Sequence, residues 1–159
     1  GRLVAIDQPG PRIDRLKENL ARAGNLEVAL VQADVLGADV AGILREHRLP
    51  STHDAVLLDV PCSNTGVIRR RVDVRWRLQP EDIAAITVTQ HRILENALPC
   101  LKPGGRLVYS TCSIEAEEND QLVESFLADH PELSRSGTRQ ALPFRDHSDG
   151  AFAALIVRK

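Results

Sequence analysis

Methionine is missing from these 159 residues, and so is any apolar run near the roughly 20 residues of a membrane-spanning helix. The second absence excludes a helical membrane protein, and the opening residues do not read as a secretory signal. With no methionine even at position 1, the chain reads as an excised piece or mature fragment of a longer product. Cysteine is scarce and odd in number, three in all, which argues against a disulfide framework. Cys62, Cys100 and Cys112 lack the paired spacing of a zinc site, and the five histidines are scattered, so no metal is expected. A reducing, cytoplasmic setting fits this usage. An excess of one charge is also lacking: the net value of -2 gives no global sign of a nucleic-acid partner. The G-x-G-x-x-G turn of many nucleotide sites does not occur. Gly104-Gly105 follows a predicted helix and precedes a strand, which is the wrong context for cradling phosphate.

What is present is one domain's length of chain, with apolar strands alternating with amphipathic helices. Strands are predicted over Arg2–Asp7, Val28–Val31, Ala55–Asp59, Arg106–Tyr109 and Ala151–Val157. Pro11 opens a helix carrying Ile13, Leu16, Leu20 and Ala23 on one face, and Gly24 stops it. A short helix is expected over about Ala38 to His47. Pro80 opens a long one whose apolar face runs from Ile83 through Leu101 and ends at Pro103-Gly104-Gly105. Ser113 is expected to cap the next helix, with Glu115, Glu117 and Glu118 near its positive end and Leu122, Val123, Phe126 and Leu127 on its buried side. Ser134 to Ser148 shows no period and reads as the loosest stretch. This alternation predicts an α/β fold with a mostly parallel sheet and helices on both faces.

Two of the strands end in small polar turns that carry a thiol. One is Leu57-Leu58-Asp59-Val60-Pro61-Cys62-Ser63, the other Leu107-Val108-Tyr109-Ser110-Thr111-Cys112-Ser113. Ligands bind outside the carboxyl ends of parallel strands, so these ends make a candidate catalytic crevice. Two buried cysteines serving as small hydrophobes are the plainer alternative. Asp7 ends the first strand, where it would either accept hydrogen bonds from a ribose diol or cap a helix. Asp34 would accept from an adenine amino group or simply stabilise its turn. Cys100, beside Pro99, reads as structural.

Ile68 to Arg77 breaks the neutral balance, with five arginines against one acid and the only tryptophan. Arg69, Arg70, Arg71, Arg75 and Arg77 suit bidentate phosphate contacts, and Trp76 suits stacking on a base. The segment follows the Cys62 turn directly, so a bound polynucleotide would cross the crevice. The alternative is a solvated loop whose tryptophan packs on the domain.

Asp59-Val60-Pro61-Cys62-Ser63-Asn64-Thr65-Gly66-Val67-Ile68-Arg69-Arg70 resembles the D-A-P-C-S-x-T-G-V-I-R-R block of the Sun/Fmu (RsmB-like) family of RNA cytosine-5 methyltransferases. Leu101 to Ser113, with Glu117-Glu118-Asn119 after it, is similar to the family's second cysteine block. Arg12 to Gly24 and Asp149-Gly150-Ala151-Phe152 resemble further segments in register. The resemblance implies a Rossmann-like class I methyltransferase sheet with an antiparallel last strand, S-adenosylmethionine as cofactor, and RNA as substrate. The arginine details look closest to the branch that acts on small-subunit ribosomal RNA. By the family pattern Cys112 is the nucleophile that adds to C6 of cytosine, and Cys62 assists resolution of the adduct. Asp59 would bond the cytosine edge. Asp7, Asp34, Asp59 and Pro61 would face the cofactor. Part of the thiol activation would come from the start of the helix after Ser113.

By the same resemblance, residues 1–159 are the C-terminal part of a catalytic domain. The family's first strand and its glycine-rich loop would lie upstream of Gly1. That strand normally sits between those ending at Asp7 and Asp59. Those two strands should therefore pair directly, take a strand from another copy, or receive an upstream segment. A non-catalytic RNA-binding or interaction module on the same scaffold is the alternative function. A thiol redox protein is a third idea, without a C-x-x-C motif to support it.

Overall fold

The computed structural model describes residues 1–24, 27–37 and 39–159. Six strands and six helices alternate along it. Strand β1 (Leu3–Asp7) leads to α1 (Pro11–Ala23), then β2 (Val28–Gln32), α2 (Val40–Glu46) and β3 (His53–Asp59). After a 3-10 turn at Thr65–Val67 come α3 (Val74–Arg77) and α4 (Pro80–Ala97). A second 3-10 turn at Leu98–Cys100 leads to β4 (Leu101–Thr111), α5 (Asp120–Asp129), β5 (Leu133–Ala141), α6 (Pro143–Asp146) and β6 (Ala151–Arg158). The start assigned to the short helix, Ala38, lies outside the described residues.

The strands form two sheets. β1 and β2 pair in parallel from Leu3–Val28 to Asp7–Gln32. The second sheet has the order β3-β4-β6-β5. Within it β3 and β4 are parallel, while β6 runs antiparallel to both its neighbours, so β5 points the same way as β4. This is the Rossmann-like α/β arrangement with an antiparallel last strand. Among the described residues β1 and β3 do not pair, so each keeps one open edge. The direct pairing offered as one of three outcomes does not occur. Leu57 on β3 is 70% exposed for want of a covering element.

The main core lies between the larger sheet and helices α4 and α5. Leu94, Leu107, Tyr109, Val123, Phe126, Phe152, Ala154 and Ile156 are all fully or almost fully buried there. A smaller cluster of Val40, Ala41, Leu44 and Cys100 takes Val4 and Ile6 of β1 and Val56 of β3, and so bridges the two sheets. Asn96 of α4 adds a polar tie, its Nδ2 donating to the carbonyls of Val35 at 2.7 Å and Leu36 at 3.2 Å. That tie fixes the loop after Asp34 to the larger sheet.

Four local expectations are corrected. Helix α4 ends at Ala97 rather than near Leu101, because Pro99 cannot donate to a continuing helix and the chain tightens into the 3-10 turn. Pro103-Gly104-Gly105 does not separate helix from strand but lies within β4. The pairing jumps there from His53–Leu101 to Ala55–Arg106, so the extra residues bulge out, with Gly104 at φ 73°. Helix α5 starts at Asp120, with Asn119 at its N-cap, so Ser113 closes only a local turn, accepting from Glu115 N–H at 3.0 Å, and the helix dipole is not at Cys112. The stretch from Ser134 holds strand β5, whose outer residues are mostly exposed at a sheet edge and so show no apolar alternation.

Candidate active site

The carboxyl ends of β3 and β4 are neighbours, with Asp59 opposite Ser110. One further bond, Val60 N–H to the Ser110 carbonyl at 3.1 Å, carries the pairing past the strand end. The chain then turns through Asn64, which adopts the left-handed conformation at φ 64°. Asparagine tolerates this region because its short amide bonds locally, here Nδ2 to the Cys62 carbonyl at 2.8 Å. Gly66 donates its N–H to the Cys112 carbonyl at 3.0 Å, and Gly150 donates to the Gly66 carbonyl at 2.7 Å. Three backbones meet at this point. A Cβ on Gly66 would lie 2.5 Å from the Gly150 oxygen and 2.7 Å from the Cys112 oxygen. Glycine is required there for close approach.

This stitching brings the two thiols together: Cys62 Sγ lies 3.1 Å from Cys112 Sγ. Cys112 also contacts Asn64 Oδ1 at 3.2 Å. Burial, followed by the contact with Cys112, pushes the Cys62 thiol up to about 12. Cys100 sits apart in the small cluster, and burial raises its pKa to about 11, in line with a structural role. Asp59 and Pro61 stand exposed on the strand-end side of the same crevice.

Beneath the thiols is a buried polar network, which the sequence pattern did not reveal. The Glu118 carboxylate accepts from Ser63 N–H at 2.9 Å, from the Ser63 hydroxyl, from the Ser113 hydroxyl at 2.7 Å and from Gln90 Nε2 at 2.9 Å. Thr65 Oγ1 lies 3.1 Å from Ser113 Oγ and accepts from Ile114 N–H. Asn119 accepts from the Thr111 hydroxyl at 2.7 Å and donates to the Ser113 carbonyl at 3.0 Å. The Tyr109 hydroxyl donates to the Glu118 carbonyl at 2.7 Å, and burial raises its pKa. Ser63, Thr65, Gln90, Ser113, Glu118 and Asn119 are all buried, so these bonds replace water outright. Glu115, Glu117 and Glu118 before a helix read as a solvated first turn; only the fold turns Glu118 inward.

A second group forms at the ends of β1 and β2. Asp7 Oδ1 accepts from Gln8 N–H at 2.8 Å. Helix α1 is preceded by Gly10 without a side-chain cap, so Asp7 is not a capping residue. Asp34 Oδ1 accepts from Leu36 N–H at 2.9 Å and from Gln8 Nε2 at 3.1 Å. The second carboxyl oxygen of each acid has no hydrogen-bond partner among the described residues. Such acceptors at strand ends suit the hydroxyl and amino groups of a nucleoside.

The arginine segment borders the thiol crevice. A cavity of about 250 Å3 is lined by Pro61, Cys62 and Ser63 together with Arg77, Asp82 and Thr89. Trp76 is 78% exposed, so it does not pack on the domain. Arg69 and Arg70 both pair with Asp149, at 2.7 and 2.6 Å, and Arg77 lies 3.6 Å from Asp73. No ion pair forms for Arg71 or Arg75 among the described residues. No group of three or more His, Cys, Asp or Glu among them is placed to hold a metal. No helix among them is long and apolar enough to cross a membrane.

Residues 1–157 match the 16S rRNA methyltransferase RsmB/F family. The chain belongs to that family. Ribosomal RNA small subunit methyltransferase B of Yersinia pseudotuberculosis serotype O:1b is 41% identical over 170 residues, covering 99% of this chain and 37% of that protein. The crystal structure of PH0851 superposes with a TM-score of 0.87 at 35% identity, over 98% of this chain and 37% of that one. NSun6 from Pyrococcus horikoshii with SFG superposes with a TM-score of 0.83 at 26% identity, over 99% of this chain and 41% of the other. The chain thus spans well under half the length of these relatives. The family is the one that the two cysteine blocks resemble.

Proposed function

We propose that residues 1–159 are the C-terminal part of a catalytic domain that methylates C5 of a cytosine in ribosomal RNA, with S-adenosylmethionine as methyl donor. The observation that carries this reading is the 3.1 Å contact between Cys62 and Cys112 at the ends of adjacent parallel strands, beside Asp59. Cytosine C5 is a poor nucleophile. A thiolate at Cys112 adds to C6, and the new Sγ–C6 bond makes C5 enamine-like. When bound, the cofactor would supply an electrophilic methyl group for C5, with a neutral thioether as the leaving group. A base then takes the C5 proton, the Sγ–C6 bond breaks, and the thiolate of Cys112 is restored. Cys62 assists this last step, its sulfur in contact with the one that must leave.

Asp59 accepts from the cytosine edge and offsets charge in the adduct. Asp7 and Asp34 hold the ribose and adenine ends of the cofactor through their unpartnered oxygens, with Asp59 and Pro61 lining the remainder. Arg69, Arg70, Arg71, Arg75 and Arg77 carry RNA phosphates, and Trp76 stacks on an unpaired base. The exposure of Trp76 and the cavity joining Arg77 to Cys62 support this path.

The test is trapping. RNA carrying 5-fluorocytidine at the target has no C5 proton to lose, so the full-length protein should remain covalently attached to it. Cys112→Ala should form no adduct. Cys62→Ala should form it, and should also accumulate adduct on ordinary RNA. Normal methylation by Cys112→Ala would show the assignment to be wrong.

A further inference from the structure

Glu118 is fully buried, and its carboxylate bonds to no lysine or arginine among the described residues. A buried acid without a cation is tolerated only when its oxygens are saturated with donors. Here there are four: one backbone N–H, two hydroxyls and one side-chain amide. Their places in the chain matter more than their number. Ser63 follows Cys62 directly, and Ser113 follows Cys112 directly. Gln90 reaches from α4 and also donates to the Pro61 carbonyl at 2.9 Å, on the other side of Cys62. One carboxylate therefore grips the residue after each thiol, and the amide that holds it steadies the residue before one of them.

We propose that Glu118 is the positioning residue of the thiol pair, clamping the Cys62 and Cys112 turns together so that their sulfurs stay in contact. Neither Cys62 nor Cys112 is itself reached by Glu118, so the effect passes through Ser63 and Ser113. The backbone bonds at Gly66 set the coarse approach of the two loops. The carboxylate sets the fine one, because both hydroxyl contacts fall on a single oxygen, Oε1. This deepens the proposed function and rests on it only for the consequence in turnover; the clamp itself is a statement about thiol geometry.

The experiment uses the full-length protein that contains this chain, fully reduced, and the thiol oxidant diamide. Diamide takes one hydrogen from each of two thiols and becomes the hydrazine, leaving a disulfide. The readout is the rate at which the Cys62–Cys112 link appears, mapped by mass spectrometry so that Cys100 does not confuse it. Wild-type protein should link rapidly. Glu118→Ala should link slower by about tenfold or more, since proximity is lost. Glu118→Gln should recover the rate to within about threefold, because the hydroxyls can turn to accept from its amide while its carbonyl takes the two N–H donors. A folded Glu118→Ala that links at the wild-type rate would overturn the proposal. So would a Glu118→Gln as slow as Glu118→Ala, since shape and bonding are kept. Should Glu118→Ala not fold, Ser113→Ala decides: a rate lower by about threefold supports the clamp, and an unchanged rate overturns it. The reaction uses no RNA and no cofactor, so its outcome stands apart from the trapping result.

Discussion

Around the sulfur pair, in the four-stranded sheet, Ser63, Thr65, Gln90, Ser113, Glu118 and Asn119 are buried and bonded to one another. At the ends of β1 and β2, by contrast, Asp34 is exposed, Asp7 is half-buried, and each keeps an oxygen without a partner among the described residues. The first region leaves the buried Gln90 Oε1 without a partner among the described residues but is otherwise matched, with loops held by backbone bonds and a buried carboxylate. The second is a two-stranded ribbon whose β1 edge is open and whose link to the rest runs through Asn96 and the small cluster around Leu44. A nucleophile needs a rigid, water-poor setting, because its geometry and proton affinity decide the rate. Carboxylates that await hydroxyl and amino groups need open lone pairs instead. The contrast in burial therefore follows the chemistry proposed for each end of the crevice.

The largest effect that would break this contrast is expected at Gly66. Gly66→Ala drives a methyl group into two carbonyl oxygens that cannot retreat without parting the loop after β3 from the end of β4 and the start of β6, so unfolding free energy should fall by about 3 kcal/mol. Urea denaturation checks this. A loss below about 1 kcal/mol would mean that the loops are not rigidly stitched.

Next comes Tyr109→Phe. It removes the hydroxyl that donates to the Glu118 carbonyl at full burial, leaving that oxygen unpaired at a cost of about 1–3 kcal/mol. The same denaturation series gives the value.

A smaller effect is tied to pH and lies at the far side of the larger sheet. Burial favours the neutral ring of His130, but hydrogen bonds and charge from Glu95 and Glu132 outweigh it and raise the pKa above the ordinary 6.5. A raised folded-state value means that the charged ring binds its proton more tightly in the folded protein. The stability so gained is full below pH 6.5 and is lost as pH climbs through the raised value. The urea midpoint should therefore drop as pH rises above 6.5, and His130→Asn should flatten that part of the profile. An unchanged profile in the variant would remove His130 from the account.

The smallest effect sharpens the comparison from the other side. Gly37, in the loop after Asp34, has open space where a Cβ would go. Gly37→Ala should shift unfolding free energy by no more than about 0.5 kcal/mol. Equal losses at Gly37 and Gly66 would erase the distinction between the two regions.

Much of this molecule was legible in its residues because local chemistry and burial agree there. Pro11 and Gly24 bracket α1, and apolar runs of three or four residues mark β1, β2, β3 and the end of β4. The two thiols were legible because each follows such a run by a short polar turn, and adjacent parallel strands bring those turns side by side. Other features depend on residues far away in the chain. Strand β5 is mostly polar at an edge and exists because β6 offers it a ladder from Leu133–Arg158 to Ala141–Ala151. The bulge at Pro103 to Gly105 exists because β4 must realign with β3. Glu118 belongs to this group most clearly. Beside Glu117 it reads as one more solvated acid, and its inward turn depends on Ser63 and Gln90, 55 and 28 positions away. Sequence alone determined the strand or helix character of the apolar-patterned segments and which residue types stand at the ends of those strands, because those follow from propensity, periodicity and turn chemistry. Only the tertiary structure decided which polar side chains lose water together, because desolvation is shared among residues that the chain keeps apart.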